Sequence, residues 1–326
     1  MKSKQAKTQT PTEMSIRDGF GEGFLAVGKL NPLVVGLSAD LTESVRMQEF
    51  EAEFPQRFVQ VGIAEQNMAA VAAGMALEGF IPYIGSFACF QPYRNLDQIR
   101  TSICIQKANV KIVSSHAGFS YAGDGIQIQA LEDIAIMRSL PNMQVWVPAD
   151  ADQAKEMALS AAGIDGPIYI RLGREKTPLL SRLIDGYEDK GFKIGEAQQL
   201  KFGSDFTIVT YGYMVAEAWR ALNTVSEIGL HGGLLNIHTI KPLDIRPILE
   251  NVAQTKRLLV VEEHQAAGGV GELLAKELLA AGLQFDFAHI AVNDKFGDTA
   301  ETTRDLWQLH GLTAENIVQV LKGMLR

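Results

Sequence analysis

The feature that most constrains the fold is a regular alternation between short apolar runs and longer stretches with helical patterning. In the first half of the chain the helical patterning falls, for example, on residues 66–77 and 151–162. Alternation of this kind predicts an α/β domain with a mostly parallel sheet and helices on both faces. The apolar runs, interpreted as strands, are residues 33–37, 58–62, 81–85, 110–114, 143–147 and 167–171.

The alternation stops at a polar, glycine-containing stretch and then restarts. Predicted strands of the second series are residues 206–211, 233–237, 257–262 and 285–290. A chain of 326 residues is too long for one ordinary core, so two domains are expected, each with a mostly parallel sheet. The predicted division is a mobile tail (1–13), a first domain (14–176), a linker (177–204) and a second domain (205–326).

Charge and composition exclude several classes of function. The net charge of −8 does not fit a nucleic-acid-binding surface, which would be basic. No apolar run approaches the roughly 20 residues of a membrane span, and residues 1–13 are polar without a signal-like apolar segment. The two cysteines, Cys89 and Cys104, are isolated and are read as small buried residues. A cytoplasmic protein that binds neither membrane nor nucleic acid is therefore expected.

Residues with useful chemistry follow most of the predicted strands of the first domain. Because ligands of open parallel sheets bind beyond the carboxyl ends of the strands, a site is expected along this edge. Strand ends are often polar without any site, and Glu65 at a helix start is equally explained by the helix dipole. The residues at the edge are Ser38, Asp40, Leu41, Glu65, Phe87, Phe90, Tyr93, His116, Asp124 and Arg171.

Several segments together resemble the transketolase family. Residues 208–218, 240–244 and 260–272 resemble the carboxy-terminal domain of that family, and the likeness covers nearly everything after residue 14. The segments that resemble its pyrimidine-binding domain are SADLTES (38–44), GIAEQNMAAVAAG (62–74), SFACFQPYRNLDQIR (86–100), SHAGFSYAGDG (115–125) and LEDIAIMRSLPNM (131–143).

The family's diphosphate-binding domain has no counterpart in this sequence. That domain holds Mg²⁺ through a GDG motif and a later asparagine. Here Gly123-Asp124-Gly125 belongs to the pyrimidine-domain segment, and the next asparagine, Asn142, is too close to it. The resemblance therefore implies a split transketolase that transfers a two-carbon ketol unit with thiamine diphosphate. A partner, the amino-terminal diphosphate-binding subunit, would hold the Mg²⁺ and complete a heterotetramer.

The resemblance implies roles for matching positions around the cofactor. Glu65 matches the glutamate that hydrogen-bonds N1′ of the aminopyrimidine and favours its imino form. His116, with histidines of the partner, would move protons. Leu41 matches the position that supports the cofactor in its bent shape, and Asp40 lies beside it. The matching positions that stack on the pyrimidine ring are Phe87, Phe90 and Tyr93.

Other matching positions concern the sugar substrates. His116 matches a histidine that contacts the donor hydroxyl groups, and Asp124 matches the aspartate that reads an acceptor hydroxyl. The positions that match the phosphate site are Arg17, Ser44 and Arg171. Arginine suits phosphate because its planar fork donates two hydrogen bonds. Taken alone, Arg17 and Arg171 are equally well read as surface charges.

One departure from the family pattern concerns the donor. Ile128 stands where the family has a histidine that helps to bind the donor ketose, and an isoleucine side chain cannot hydrogen-bond. This predicts a modified ketose, with a branched, deoxy or sulfonated tail, or else weak activity.

The sequence leaves three alternative functions open. The first is the beta subunit of a 2-oxoacid dehydrogenase, which has a similar length and a matching glutamate. The second is a fragment of a 1-deoxyxylulose-5-phosphate synthase, and the third is a degenerate scaffold subunit without catalysis. Segments 38–44 and 115–125 favour transketolase over the first. Retention of Glu65, Phe87, Phe90 and His116 argues against the scaffold.

Overall fold

Two sheets of mostly parallel strands organise the chain in this computed structural model, which describes residues 12–188 and 191–325. The predicted α/β class is confirmed. Most of the predicted tail, residues 1–11, lies outside the described residues, whereas Glu13 already belongs to a strand, β1 (Glu13–Ser15). That strand pairs antiparallel with β8 (Lys176–Pro178).

The first sheet has seven strands in the order β12-β6-β7-β5-β4-β2-β3. All pairings in it are parallel except that of β12 with β6. Its strands are β2 (Val34–Ser38), β3 (Phe58–Gln60), β4 (Ile81–Phe87), β5 (Lys111–Ser115), β6 (Gln144–Trp146), β7 (Ile168–Arg171) and β12 (Thr239–Lys241). Its helices are α1 (Ile16–Leu30), α2 (Gln48–Glu53), α3 (Glu65–Leu77), α4 (Leu96–Gln98), α5 (Asp133–Ser139), α6 (Ala151–Ala161) and α7 (Leu180–Leu183).

Helix α1 is absent from the strand-and-helix pattern read from the sequence. Its segment contains four glycines, which weaken the intrinsic preference for helix. The tertiary structure explains them, because α1 packs very closely on α6. A Cβ atom on Gly19 would lie 1.9 Å from the carbonyl oxygen of Ala151, and one on Gly23 would lie 2.5 Å from that of Lys155. Burial against α6 therefore outweighs the low local propensity.

The second sheet has five strands in the order β14-β13-β10-β11-β9, with only β9 antiparallel. Its strands are β9 (Gln198–Lys201), β10 (Phe206–Thr210), β11 (Gly232–Asn236), β13 (Arg257–Gln265) and β14 (Asp286–Val292). Its helices are α8 (Met214–Ser226), α9 (Arg246–Thr255), α10 (Val270–Ala280), α11 (Thr303–Leu309) and α12 (Ala314–Met324).

Two strands join their sheets from outside the predicted limits of the corresponding domain. Strand β9 lies inside the predicted linker, and β12, from the second domain, is an edge strand of the first sheet. Neither strand was predicted, because both are short. Strand β9 is also polar, and a three-residue strand such as β12 leaves almost no periodic pattern in the sequence.

Both cysteines are free thiols. Cys104 is buried and Cys89 is half-buried, and burial raises the pKa of these thiols to about 11 and about 12. Along residues 12–188 and 191–325, every helix is too short or too polar to cross a bilayer.

Candidate active site

The carboxyl ends of β2, β4, β5 and β7 converge with the start of α1 around an open pocket of about 240 Å³. These ends lie side by side because the strands are parallel neighbours in the sheet. The pocket is lined by Arg17, Glu43, Ser44, Arg46, Phe87, His116, Tyr121 and Arg174.

Three arginines line this pocket. Arg17 donates from Nη1 to the carbonyl oxygen of Ser44 at 2.7 Å, while its buried Nε has no partner among the described residues. Arg46 pairs with Asp18, and Arg174 pairs with Glu175. Burial lowers the pKa of Arg17, and the charges of Arg46 and Arg174 lower it further. A pocket lined by three guanidinium groups is suited to an anion.

His116 forms the wall between the arginines and the aromatic residues. It is buried and adopts the left-handed conformation, with φ 61°. Its Nδ1 lies 3.0 Å from Ser115 Oγ, and its ring centroid lies 3.8 Å from that of Phe87. Burial and the charges of Arg17, Arg174 and Arg46 lower its pKa to about 3. The imidazole is therefore neutral near pH 7 and acts as a hydrogen-bonding group.

Glu65 lies at the first residue of α3, where its side chain is only 3% exposed. Both of its carboxylate oxygens accept hydrogen bonds from Arg94 Nη1, at 3.1 and 3.2 Å. The Arg94 guanidinium also lies over the ring of Phe90, 4.1 Å from its centroid. Phe90 in turn stacks on Phe87 with centroids 5.8 Å apart.

These contacts connect the predicted cofactor residues to the predicted substrate residues. The sequence of contacts runs from Glu65 through Arg94, Phe90 and Phe87 to His116. Tyr121 continues it: its ring lies 5.4 Å from that of His116 and beneath Arg174, 4.5 Å from the guanidinium.

Other predicted site residues lie around this row without lining the pocket. The Tyr93 hydroxyl donates to Glu132 Oε2 at 2.7 Å. Asp40 is exposed, with φ 62°, and Leu41 beside it is half-buried. Asp124 is exposed at the end of a 3₁₀ turn, and Ile128 is half-buried four residues later.

Arg171, predicted to bind phosphate, does not line the pocket. Its side chain is 5% exposed inside β7, and its Nε donates to Asp133 Oδ2 at 2.8 Å. Its Nη2 donates to the backbone oxygen of Glu263 at 3.0 Å. An arginine that is buried and bonded in this way joins the two domains, so the geometry favours another arginine for the phosphate role.

Arg174 lines the pocket at which the sequence analysis had expected Arg171. All four residues of β7 are buried, so only residues beyond its end face the edge of the sheet. Applied strictly, the strand-end rule therefore points to Arg174. Arg46 and Tyr121 were also missed, since they lie in loops whose direction the sequence pattern does not reveal.

Comparisons with known protein families identify both domains. The family model of the transketolase pyrimidine-binding domain matches residues 12–178, and that of the transketolase C-terminal domain matches residues 195–317. The chain belongs to the transketolase family. The resemblance given by the sequence segments is thereby confirmed.

Individual transketolase relatives match over nearly the whole chain. The chain is 37% identical to a putative transketolase C-terminal section from Methanocaldococcus jannaschii, over 93% of this chain and 94% of the relative. It is 35% identical to the 6-deoxy-6-sulfo-D-fructose transketolase subunit SqwH from a Clostridium species, over 93% and 92%. A solved split gene transketolase, described as an inactive beta4 tetramer, is 38% identical with a TM-score of 0.86, over 96% and 98%.

Proposed function

We propose that this chain is one subunit of a split, thiamine-diphosphate-dependent transketolase that moves a two-carbon ketol unit from an anionic ketose to an aldose. The observation that carries the proposal is the row of contacts from Glu65 to His116, which ends at a pocket with three arginines. A cofactor ring and an anionic sugar could be held side by side along such a row.

The residues at one end of the row fit the aminopyrimidine of thiamine diphosphate. Phe87 and Phe90 offer stacked aromatic surfaces, and Glu65 offers a buried carboxyl to a ring nitrogen. The cofactor, when bound, supplies the electron sink for carbon–carbon cleavage. Glu65 would share a proton with N1′. Arg94 engages both oxygens of Glu65, so we expect this ion pair to open when the ring binds.

The residues at the other end fit a sugar with an anionic tail. Arg17 and Arg174 would hold the anion, with Arg46 adding positive charge. His116 would bind a donor hydroxyl as a neutral imidazole, since its pKa is lowered to about 3. Asp124, exposed on the same loop, would read an acceptor hydroxyl.

A partner subunit completes the proposed enzyme. It would supply the diphosphate-binding domain and Mg²⁺, with two copies of each chain in a heterotetramer. Support comes from the relatives, which are named as a section or a subunit of a transketolase and which this chain covers almost completely. The similar beta4 tetramer, described as inactive, is consistent with a need for a second chain.

The donor is proposed to be a modified ketose rather than an ordinary pentose phosphate. Ile128 presents an apolar side chain where the family has a histidine. One similar subunit belongs to a transketolase named for 6-deoxy-6-sulfo-D-fructose, which is a modified ketose with an anionic tail.

The test is purification of this chain from its own host with Mg²⁺, followed by native mass spectrometry and a donor panel. We expect a second polypeptide with thiamine diphosphate, and a larger kcat/KM for a sulfonated or deoxy ketose than for xylulose 5-phosphate. Efficient turnover of xylulose 5-phosphate would contradict the modified donor alone. A complex that acts on 2-oxoacids and on no ketose would contradict ketol transfer.

A further inference from the structure

The second domain covers the loop that carries His116. This loop, residues 116–130, follows β5 and also carries Asp124 and Ile128; we call it the substrate loop. Phe119, inside the loop, is fully buried, and its ring stacks on His310 with centroids 4.7 Å apart. The substrate loop is therefore packed between the domains.

Glu263, in β13, anchors the backbone of the substrate loop. Its Oε1 accepts hydrogen bonds from the Phe119 amide at 3.2 Å and from Trp307 Nε1 at 2.6 Å. Its Oε2 is buried without a protein partner among the described residues. A Cβ atom on Gly118, where φ is +66°, would lie 2.0 Å from that oxygen. The loop and the carboxylate fit together only because residue 118 has no side chain.

Residues just before and within α11 hold the same loop at further points. Thr303 Oγ1 donates to the Phe119 carbonyl oxygen at 3.0 Å. The Ala300 amide donates to the Ala122 carbonyl at 3.3 Å, and Gln129 Nε2 donates to the Asp298 carbonyl at 2.7 Å. Both the centre and the end of the substrate loop are thus bonded to the second domain.

We propose that the second domain positions the substrate loop, and that Glu263 and Thr303 are the positioning residues. Together they fix both backbone groups of Phe119, three residues from His116. His116 and Asp124 would then meet the sugar in one preformed orientation, which matters because small misplacements of reacting groups lower rates steeply. The inference rests on the proposed ketol-transfer function and gives the second domain a part in substrate binding.

Hydrogen exchange of the substrate-loop amides tests the positioning directly. The variants are Glu263→Leu, which removes both acceptor oxygens, and Thr303→Val, which removes the hydroxyl at similar volume. Thr303→Ser, which restores the hydroxyl, is the matched control. We expect about tenfold faster exchange of the Phe119 amide and its neighbours in the first two variants, and near wild-type exchange in the control. Unchanged loop exchange in both Glu263→Leu and Thr303→Val would overturn the proposal.

Kinetics of the purified complex separate positioning from mere stability. We expect Thr303→Val to raise the KM for the ketose donor about tenfold, with Thr303→Ser close to wild type and with the affinity for thiamine diphosphate unchanged. A lower melting temperature with an unchanged donor KM would show a purely structural role and overturn the proposal. If the wild-type complex turns over no ketose, the proposed function fails, and the exchange experiment alone decides whether Glu263 orders the loop.

Discussion

The two sheets share a parallel architecture but treat the charged groups at their carboxyl ends in opposite ways. At the first sheet, Arg17 keeps a buried Nε without a partner and faces an open pocket. At the second, Glu262 is fully buried and accepts hydrogen bonds from the Tyr211 hydroxyl, His289 Nε2 and the backbone amides of Val270 and Gly271. One edge turns an arginine toward an open pocket, whereas Glu262 at the other edge is hydrogen-bonded entirely within the protein.

The pKa shifts express the same difference. Burial by itself would raise the pKa of Glu262, but the hydrogen bond from His289 and nearby histidines bring it below its ordinary value. At the pocket, burial and the charges of Arg17, Arg174 and Arg46 lower the pKa of His116 to about 3. A charged group that faces an open pocket is therefore suited to a ligand, whereas a buried one with all its hydrogen bonds made inside the protein, as Glu262 has, serves the structure.

The largest expected effect is on activity at the first sheet. Glu65→Gln keeps the size of the side chain but removes its charge, so the complex should lose roughly 10³-fold in kcat. Glu78→Gln, exposed at the other end of α3, is the control and should leave kcat unchanged. Retention of full activity by Glu65→Gln would remove the main functional contrast between the two edges.

At the second sheet the expected effect is on stability. Glu262→Ala leaves the donors of four hydrogen bonds without an acceptor, so the free energy of unfolding should fall by about 3 kcal/mol. Urea denaturation measures this change. The donor KM of the folded fraction should stay constant, and a large rise in that KM would assign Glu262 to the site.

Removing the Arg17 cation should affect binding more than stability. Arg17→Ala should raise the KM for an anionic ketose about 30-fold, while an uncharged ketose is little affected. The exposed Arg182 is the control, and Arg182→Ala should change neither value. Equal effects of Arg17→Ala on charged and uncharged donors would show that Arg17 does not bind the anionic group of the donor.

The smallest expected effect is the pH dependence that Glu263 contributes. Burial raises its pKa to about 7 from an ordinary 4.5, although the facing Arg171, the Trp307 N–H and the Phe119 amide lower it. Asp133 and Tyr213 also face this carboxyl. Between these pH values the folded protein binds more protons than the unfolded chain, so stability falls as pH rises.

The test compares the pH dependence of stability of the wild type with that of Glu263→Gln. This variant lacks the titrating carboxyl of residue 263 but keeps His116. Between pH 5 and pH 8 the wild type should lose on the order of 2 kcal/mol more unfolding free energy than Glu263→Gln. Urea denaturation at both pH values measures the difference. Parallel stability profiles would mean that Glu263 titrates near its ordinary pKa and that its burial carries little penalty.

The sequence determined the fold class, most of the strands and the family. Apolar runs and helical periodicity are local signals, and they place β4 (Ile81–Phe87) and α6 (Ala151–Ala161) within a few residues. Segments such as 62–74 carry the family likeness because chemistry constrains their residues one by one. The positions of Glu65, Phe87 and His116 at one edge followed from the strand-end rule.

Only the tertiary structure decided which charged residues meet at that edge. Arg171 and Arg174 are three residues apart, yet one is buried against Asp133 and the other lines the pocket. The glycine-rich α1 forms because it packs on α6, and Glu263 reaches Phe119 across 144 positions of sequence. The physical reason is that side-chain direction and long-range burial depend on neighbours distant in the chain, which no local periodicity records.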